Sequence, residues 1–380
     1  MIKSVQITGY RGLRDLSMTD LGRVNLIVGK NNSGKTSVLE GLYLLATRAD
    51  PSAIWRVLIR RGEQIADSPA PGRPYQIEVD PCHLFYGHAI RPGTQATLRT
   101  ESDAPDRSLT FQVLESNREA NPALFAQLQA LQQLDGANVV SRYMISITGE
   151  PRPRVALIPL SSRGGLRQDV MQTLLNMSGN VMGNGGDDHH QFITTDSLSI
   201  QEVQSAFTEI ALSPREGRIL QALQFIEPKV ERIAASGGFH FVGPGWPVRG
   251  GLKVKMAEQD EPIPIGSLGE GTWRLMALAI ALATAKDGLL LVDEIDTGLH
   301  YTVLKKMWAF VSEVAQAFNV QVFATTHSGD CVNSLAAVCH ADVKVGGHVT
   351  IQRLEAERDH SVAYNEAEIV ALARNHIEVR

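Results

Sequence analysis

The chain has 380 residues, 43% hydrophobic and 20% charged, with 36 Lys and Arg against 41 Asp and Glu and a formal net charge of −5. This is ordinary globular composition, long enough for two or three domains, and it lacks the basic surplus of a duplex binder. The longest apolar run, Leu275–Ala285, falls well short of the ~20 residues of a membrane span. The opening MIKSVQITGY has no charged-then-apolar leader, so the expectation is a cytoplasmic protein.

Taken in chain order, Ile2, Val5 and Ile7 open a strand pattern. Val24–Val28 is short, β-branched and stops at a glycine, which predicts a buried strand. From Thr36 the apolar spacing becomes helical through Val38, Leu39, Leu42, Leu45 and Ala46. Six prolines between Pro69 and Pro105 predict short strands and turns, at Tyr75–Val79, Ala96–Arg99 and Leu109–Leu114. Pro122–Leu134 reads as a helix, and Tyr143–Thr148 and Val155–Pro159 as strands.

Residues 164–235 read as helical and polar, around a glycine-rich loop at 179–191. Strands return at Phe239–Val242 and Leu252–Met256. A helix is predicted from Gly271 to Lys286, a strand at Leu289–Val292, a helix at Tyr301–Phe318 and a strand at Val320–Ala324. The chain closes on a strand at Val349–Leu354 and a short helix near Glu366–Ala373. Strands alternating with helices at both ends predict an α/β fold with a mixed sheet, interrupted by a mainly helical insert. The expected division is 1–160, 161–236 for the insert, and 237–380.

Four motifs carry chemistry. Gly29–Thr36 reads G-K-N-N-S-G-K-T between a predicted strand and helix, as a phosphate-binding P-loop requires. Its glycines let successive backbone N–H groups face phosphate oxygens, and the helix that follows presents its positive end to the same anion. Lys35 then neutralises the β- and γ-phosphates, and the Thr36 hydroxyl ligates Mg2+. The strand Leu289–Val292 delivers Asp293 and Glu294 to the sheet's C-terminal edge, where ligands of open α/β sheets bind. There Asp293 is placed to hold the metal through water and Glu294 to act as general base. His327, in Thr325-Thr326-His327-Ser328 after a strand, is placed to hydrogen-bond a γ-phosphate. Ser267–Thr272 opens the apolar helix. It fits a capping box of Ser267 and Glu270, and equally an anion site for a phosphate bound to another subunit.

Together these motifs resemble the ABC-type ATPase superfamily, near its SMC, RecF and OLD-like branches. The closest likeness is to prokaryotic OLD-like AAA-type ATPases, carried by Tyr10-Arg11-Gly12-Leu13, Asn25–Glu40, Leu84–Gly87, Gly269–Thr272, Asp293–His300 and Thr325–Ser328. The resemblance implies a head-to-tail homodimer, or a larger oligomer, with two ATP molecules and Mg2+ sandwiched between one subunit's P-loop and the other's signature. The cofactor-binding set carried over is Arg11, Gly29, Lys30, Asn31, Asn32, Ser33, Gly34, Lys35, Thr36, Ser37, Ser267, Gly269, Glu270 and Gly271. Thr36 and Asp293 are its metal ligands, and Glu294, His327 and Lys35 its catalytic residues. Asn31 matches the asparagine beside the γ-phosphate.

The likeness has departures. A serine is missing from its usual place in the signature, although Ser267 is adjacent, and His300 replaces an aspartate. His83, His88 and Gln95 lie where a metal-contacting loop glutamine is expected. Too few residues follow His327 for the TOPRIM nuclease that OLD-like proteins often carry, so the expected effector is a separate polypeptide such as a nuclease. The leading reading is a slow ATPase acting as sensor or regulator in prokaryotic anti-phage defence or DNA transactions. A RecF-like DNA-binding repair ATPase and an ATP-ordered scaffold with little turnover are the alternatives.

Three other features read as structural. Cys82, Cys331 and Cys339 form no C-x-x-C pair and read as small buried hydrophobes. Arg56, Arg60 and Arg61 read as a solvated helix face. Asp187-Asp188-His189-His190 reads as a solvated loop, because four adjacent side chains cannot converge on one ion.

Overall fold

A computed structural model describes residues 1–65, 77–103, 105–115, 143–151, 154–172, 190–195, 198, 200–224, 227–235, 251–341 and 349–375. The first elements are β1 (Ile2–Tyr10), β2 (Leu13–Met18), β3 (Val24–Gly29), α1 (Lys35–Ala46), α2 (Pro51–Arg60), β4 (Glu78–Val79), β5 (Gln95–Ser102), β6 (Arg107–Glu115), β7 (Tyr143–Glu150), β8 (Arg154–Pro159) and β9 (Leu166–Arg167). Next come β10 (His190–Ile193), α3 (Ile200–Ile210), α4 (Glu216–Gln224), β11 (Val230–Ala235), β12 (Leu252–Met256) and β13 (Ile263–Pro264). The last are α5 (Glu270–Thr284), β14 (Leu289–Val292), α6 (Tyr301–Ala317), β15 (Gln321–Thr325), α7 (Gly329–Ala341), β16 (Val349–Leu354), β17 (Val362–Tyr364) and α8 (Glu366–Arg374). They fall into two compact units, 1–19 with 32–187 and 356–361, and 20–31 with 188–355 and 362–380.

The first unit is built on an antiparallel sheet in the order β2-β1-β5-β6-β7-β8. Apolar residues at every second position turn to one face, as at Leu109, Phe111 and Val113 of β6, all buried. Helix α1 lies against this sheet through Gly41, where a Cβ would stand 3.4 Å from both Ile7 and Leu98. The predicted strand at Tyr75–Val79 is described only as Glu78–Val79, paired with β9, and the helix predicted at Pro122–Leu134 lies outside the described residues.

The second unit holds a sheet in the order β10-β14-β15-β3-β16-β17. Its first five strands run parallel, and β17 closes the edge antiparallel. Strand β3 comes from the start of the chain and sits between two strands from its end, with Leu26 opposite Ala324 on one side and Ile351 on the other. The two ends of the sequence therefore share one mixed sheet, as expected. Leu289–Val292 is buried at every position, which a parallel strand requires when both sheet faces are covered. Helix α5 is buried continuously from Thr272 to Ala283. Each large side chain there, such as Leu275, Met276, Ile280 and Leu282, contributes ~1.5–3 kcal/mol by leaving water.

Among the described residues, much of the expected insert at 161–236 packs into the core of the second unit. Val203 and Phe207 of α3, Ile219 and Leu223 of α4, and Val230 and Ile233 of β11 all join the core around α5. Their apolar faces are too large to leave in water, so α5 takes them. Among its described residues the region also holds strands β9, β10 and β11. The strand expected at Phe239–Val242 lies outside the described residues. Among the described residues no helix is long and apolar enough to cross a membrane.

Candidate functional site: a P-loop and a carboxylate pair at a parallel sheet edge

The second unit brings three motif strands side by side. β14, β15 and β3 are adjacent and parallel, so their C-terminal ends emerge at one edge. β14 leads to Asp293 and Glu294, β15 leads to His327, and β3 ends at Gly29. Adjacency of parallel strands with long crossovers explains how motifs distant in sequence share that edge.

Asp293 is buried and Glu294 half-buried. Glu294 has a φ of 47°, a left-handed conformation that costs a residue with a Cβ ~1–2 kcal/mol. Three side chains hold it there. Thr325 Oγ1 accepts the Glu294 N–H at 2.8 Å, Thr297 Oγ1 donates to Glu294 Oε2 at 3.1 Å, and Arg274 Nη2 donates to the Glu294 carbonyl at 3.1 Å. Thr325 Oγ1 also donates to Asp293 Oδ1 at 2.7 Å, so one hydroxyl links both acidic residues. Arg274 completes the clamp, with Nη2 2.9 Å from the Asp293 carbonyl and Nη1 2.5 Å from that of Thr194. The Thr326 hydroxyl ties the next loop, donating to Asp296 Oδ1 at 2.6 Å while accepting the Ser328 N–H. His327 itself is exposed.

The P-loop begins in the second unit at Gly29, Lys30 and Asn31 and continues into the first from Asn32. Gly29 at φ 146°, Asn32 at φ 64° and Gly34 at φ 92° give the backbone its turn. Gly34 is obligatory twice over, since a Cβ there would also stand 2.5 Å from Leu13 Cδ2. It caps α1 and has no side chain to occupy the helix's first N–H groups, and Lys35-Thr36-Ser37 adds no acidic residue to that turn. An anion is the natural partner of such an end. Ser33, Lys35 and Ser37 are buried, Thr36 half-buried, and Lys30, Asn31 and Asn32 exposed. The Ser33 hydroxyl is buried with no hydrogen-bond partner among the described residues. That orphaned donor fits a phosphate oxygen.

The guanidinium of Arg11 is buried and engaged within the protein. Nε lies 2.8 Å from Glu40 Oε2, and Nη1 and Nη2 lie 2.6 and 3.1 Å from the two oxygens of Glu63. Arg61 Nε donates to the other Glu40 oxygen at 2.8 Å. Two carboxylates fill the donor fork of Arg11, which braces α1 from behind. Of the solvated helix face expected at Arg56, Arg60 and Arg61, Arg61 joins the same network.

The signature also departs from its expected form. A 3-10 turn occupies Ile265–Leu268, and α5 starts at Glu270 with Gly269 as its cap. The Ser267–Glu270 capping box is therefore absent, because Ser267 sits inside the turn and out of cap position. Ser267, Gly269 and Glu270 are exposed. Gly271 packs on the loop after the carboxylates, where its Cβ would meet the Gly298 carbonyl at 3.0 Å.

Of the residues expected near a metal-contacting loop, His83 and His88 face each other and Gln95 begins β5. Cys331 and Cys339 are buried as expected, their thiols pushed up to about 12 and about 11 by that burial. Cys82 is only half-buried. Of Asp187–His190, only His190 lies within the described residues, at the start of β10. Sequence reasoning missed Arg274, Thr297 and the linking role of Thr325. Arg274 had a signal, since a lone guanidinium in an otherwise apolar helix must find acceptors.

Residues 255–330 match a family model described as "AAA domain, putative AbiEii toxin, Type IV TA system", and residues 1–80 match one described as "AAA ATPase domain". The two matched segments hold the P-loop and the Gly269–Ser328 motifs. It is 20% identical over 354 residues to an "ATP/GTP phosphatase" of Helicobacter pylori, covering 89% of this chain and 88% of that protein. It is 42% identical over 45 residues to the DNA replication and repair protein RecF of Clostridioides difficile, 12% of each chain. Among solved structures, an SMC head bound to the C-winged helix domain of ScpA aligns at 14% identity with a TM-score of 0.47, over 96% of this chain and 98% of that one.

Proposed function

We propose that this ATPase head binds ATP, hydrolyses it slowly and dimerises head to tail around it. The observation that carries the reading is Glu294, held in a left-handed conformation by Thr325, Arg274 and Thr297 next to the buried Asp293. Strain that the surroundings over-determine is a mark of a working residue. Here it aims one carboxylate while its neighbour stays bound to Thr325.

In this reading the P-loop amides and Lys35 bind the phosphates, and the Ser33 hydroxyl gains the acceptor it lacks. Glu294 takes a proton from the attacking water, whose oxygen displaces ADP from the γ-phosphorus. Thr36 and Asp293 supply the hydroxyl and carboxylate oxygens that suit Mg2+, which when bound offsets charge on the phosphates. His327, the exposed Ser267, Gly269 and Glu270, and the half-buried Gly271 serve the nucleotide and the partner head. We read the biological role as sensor or regulator of a separate effector, such as a nuclease, in anti-phage defence or DNA transactions in the cytoplasm. The net charge of −5 favours leaving nucleic-acid contact to that partner.

The test pairs two variants. Glu294→Gln is expected to bind ATP, lose turnover and accumulate dimers by light scattering, and turnover equal to wild type would overturn the base assignment. Lys35→Ala is expected to lose ATP binding by calorimetry, and unchanged affinity would overturn the P-loop reading.

A further inference from the structure

The 3-10 turn Pro81–Leu84 in the first unit gathers donor groups that the nucleotide reading does not use. Donor atoms of Asp80, Cys82 and His83 all lie within 4.8 Å of one another. His83 Nδ1 faces His88 Nδ1 at 3.1 Å, the rings tilted by 58°. Two imidazole nitrogens on a tetrahedral zinc, each ~2.05 Å from the ion, stand about 3.3 Å apart. The paired histidines are close to that spacing. Without an ion, one of the two nitrogens must carry a proton directed at the other.

The backbone fixes this arrangement from both sides. Asp80 Oδ1 accepts the Cys82 N–H at 2.9 Å and sets the turn. The Leu84 carbonyl accepts the Arg11 N–H at 3.2 Å, and the Tyr86 N–H donates to the Gly9 carbonyl at 2.8 Å. His88 has a φ of 51°, which turns its ring back toward His83. The spacing Asp80-x-Cys82-His83 thus brings a carboxylate, a thiol and an imidazole together, and His88, five residues on, faces the His83 ring.

We propose that Asp80, Cys82, His83 and His88 form a binding site for a zinc-type divalent cation. A thiolate with two imidazoles selects zinc or cobalt over magnesium or calcium, which take oxygen donors. On loading, the Cys82 sulfur bonds the ion and its thiol proton leaves to solvent. The proton between the facing histidine nitrogens moves to a far ring nitrogen, so each imidazole binds as a neutral donor. The site clamps the 81–88 segment to the end of β1, beside the Arg11 network.

The experiment uses the tag-free full chain, stripped with chelator and titrated with Co2+. The expected result is one equivalent bound with the intense visible bands of a tetrahedral ion and a near-ultraviolet thiolate charge-transfer band. Cys82→Ser should lose the charge-transfer band. His88→Ala, at an exposed position, should keep its circular dichroism and bind Co2+ at least ~10-fold more weakly, the scale of losing one good ligand contact. Absence of tetrahedral bands in the wild-type chain, or unchanged spectra and affinity in both variants, would overturn the proposal. None of these readouts depends on ATP turnover.

Discussion

Arg274, in the first turns of the buried helix α5, donates to the backbone carbonyls of both Asp293 and Glu294, at 2.9 and 3.1 Å. Burial pulls its guanidinium below the ordinary arginine value, opposed by Asp293, Asp296, Glu294 and Glu270. One side chain therefore connects the start of α5 to the backbone that aims the acidic pair. Arg274→Leu should leave carbonyls without donors, and hydrogen bonds from a charged group are worth ~1.5–3 kcal/mol each. The expected result is a lower urea midpoint and a kcat reduced about 10- to 100-fold, with ATP affinity within about threefold, since ~1.4 kcal/mol is tenfold in rate. Arg274→Lys should recover only part of this, because an ammonium cannot span three carbonyls as the guanidinium fork does. Steady-state kinetics with calorimetric ATP binding checks both.

Thr325 should behave as a positioning residue with a chemical signature of its own. Its hydroxyl donates to Asp293 Oδ1 and accepts the Glu294 N–H. Thr325→Val keeps the shape and removes both bonds, taking one donor from a buried carboxylate and the acceptor from a strained N–H. A loss of ~1–3 kcal/mol follows from that desolvation, read as a lower melting temperature and a kcat down by about tenfold or more. Thr325→Ser should restore turnover to within about threefold, since the hydroxyl is kept. Equal defects in Val and Ser variants would mean that packing, and not the hydrogen bonds, is what matters there.

What the sequence disclosed depends on range. The P-loop and Leu289–Glu294 were legible because their chemistry is local: glycines for positive φ, then Lys35 and Thr36, and a run of apolar residues delivering two carboxylates. The pairing of strands from both chain ends followed from their common α/β pattern. Arg11 was carried over with the Tyr10–Leu13 motif, which says nothing of its ion pairs, because its partners Glu40 and Glu63 lie far along the chain. Ser267 and Glu270 match the capping spacing, yet the preceding 3-10 turn shifts the helix start. The α3 and α4 segments read as an arm because amphipathic periodicity shows that a face will be buried and not against what. Cys82 was grouped with the buried cysteines because exposure is a tertiary property.

The Arg11 network gives a stability prediction separable from function. Arg11 and Glu40 are 3% and 1% exposed, and truncating one member of a buried ion pair costs about 3–5 kcal/mol by stranding the other charge. Arg11→Leu should lower unfolding free energy by about that amount in urea. The double variant Arg11→Leu with Glu40→Leu should lose less than the sum of the single variants, because the stranded charge is gone. ATP affinity of the folded Arg11→Leu protein should stay near wild type. A large drop in affinity would return Arg11 to the nucleotide.

Two glycines test how closely the signature turn must meet the loop after the carboxylates. A Cβ at Gly271 would stand 3.0 Å from the Gly298 carbonyl, and one at Gly298 would stand 3.0 Å from Glu270 Cγ. These contacts differ in kind. The Glu270 side chain is exposed and can swing aside, so Gly298→Ala mainly meets the strain of its φ of 75°, ~1–2 kcal/mol. The Gly298 carbonyl belongs to a backbone held between Asp296 and Leu299 and cannot move so freely. Gly271→Ala should therefore push the start of α5 from that loop, with overpacking of ~1–3 kcal/mol. Because Arg274 rides on the same helix one turn on, the shift reaches Asp293 and Glu294. The expected pattern is a comparable drop in melting temperature for the two variants, with kcat falling severalfold more in Gly271→Ala. Equal kcat in the two would show that the helix start and the carboxylates are mechanically independent.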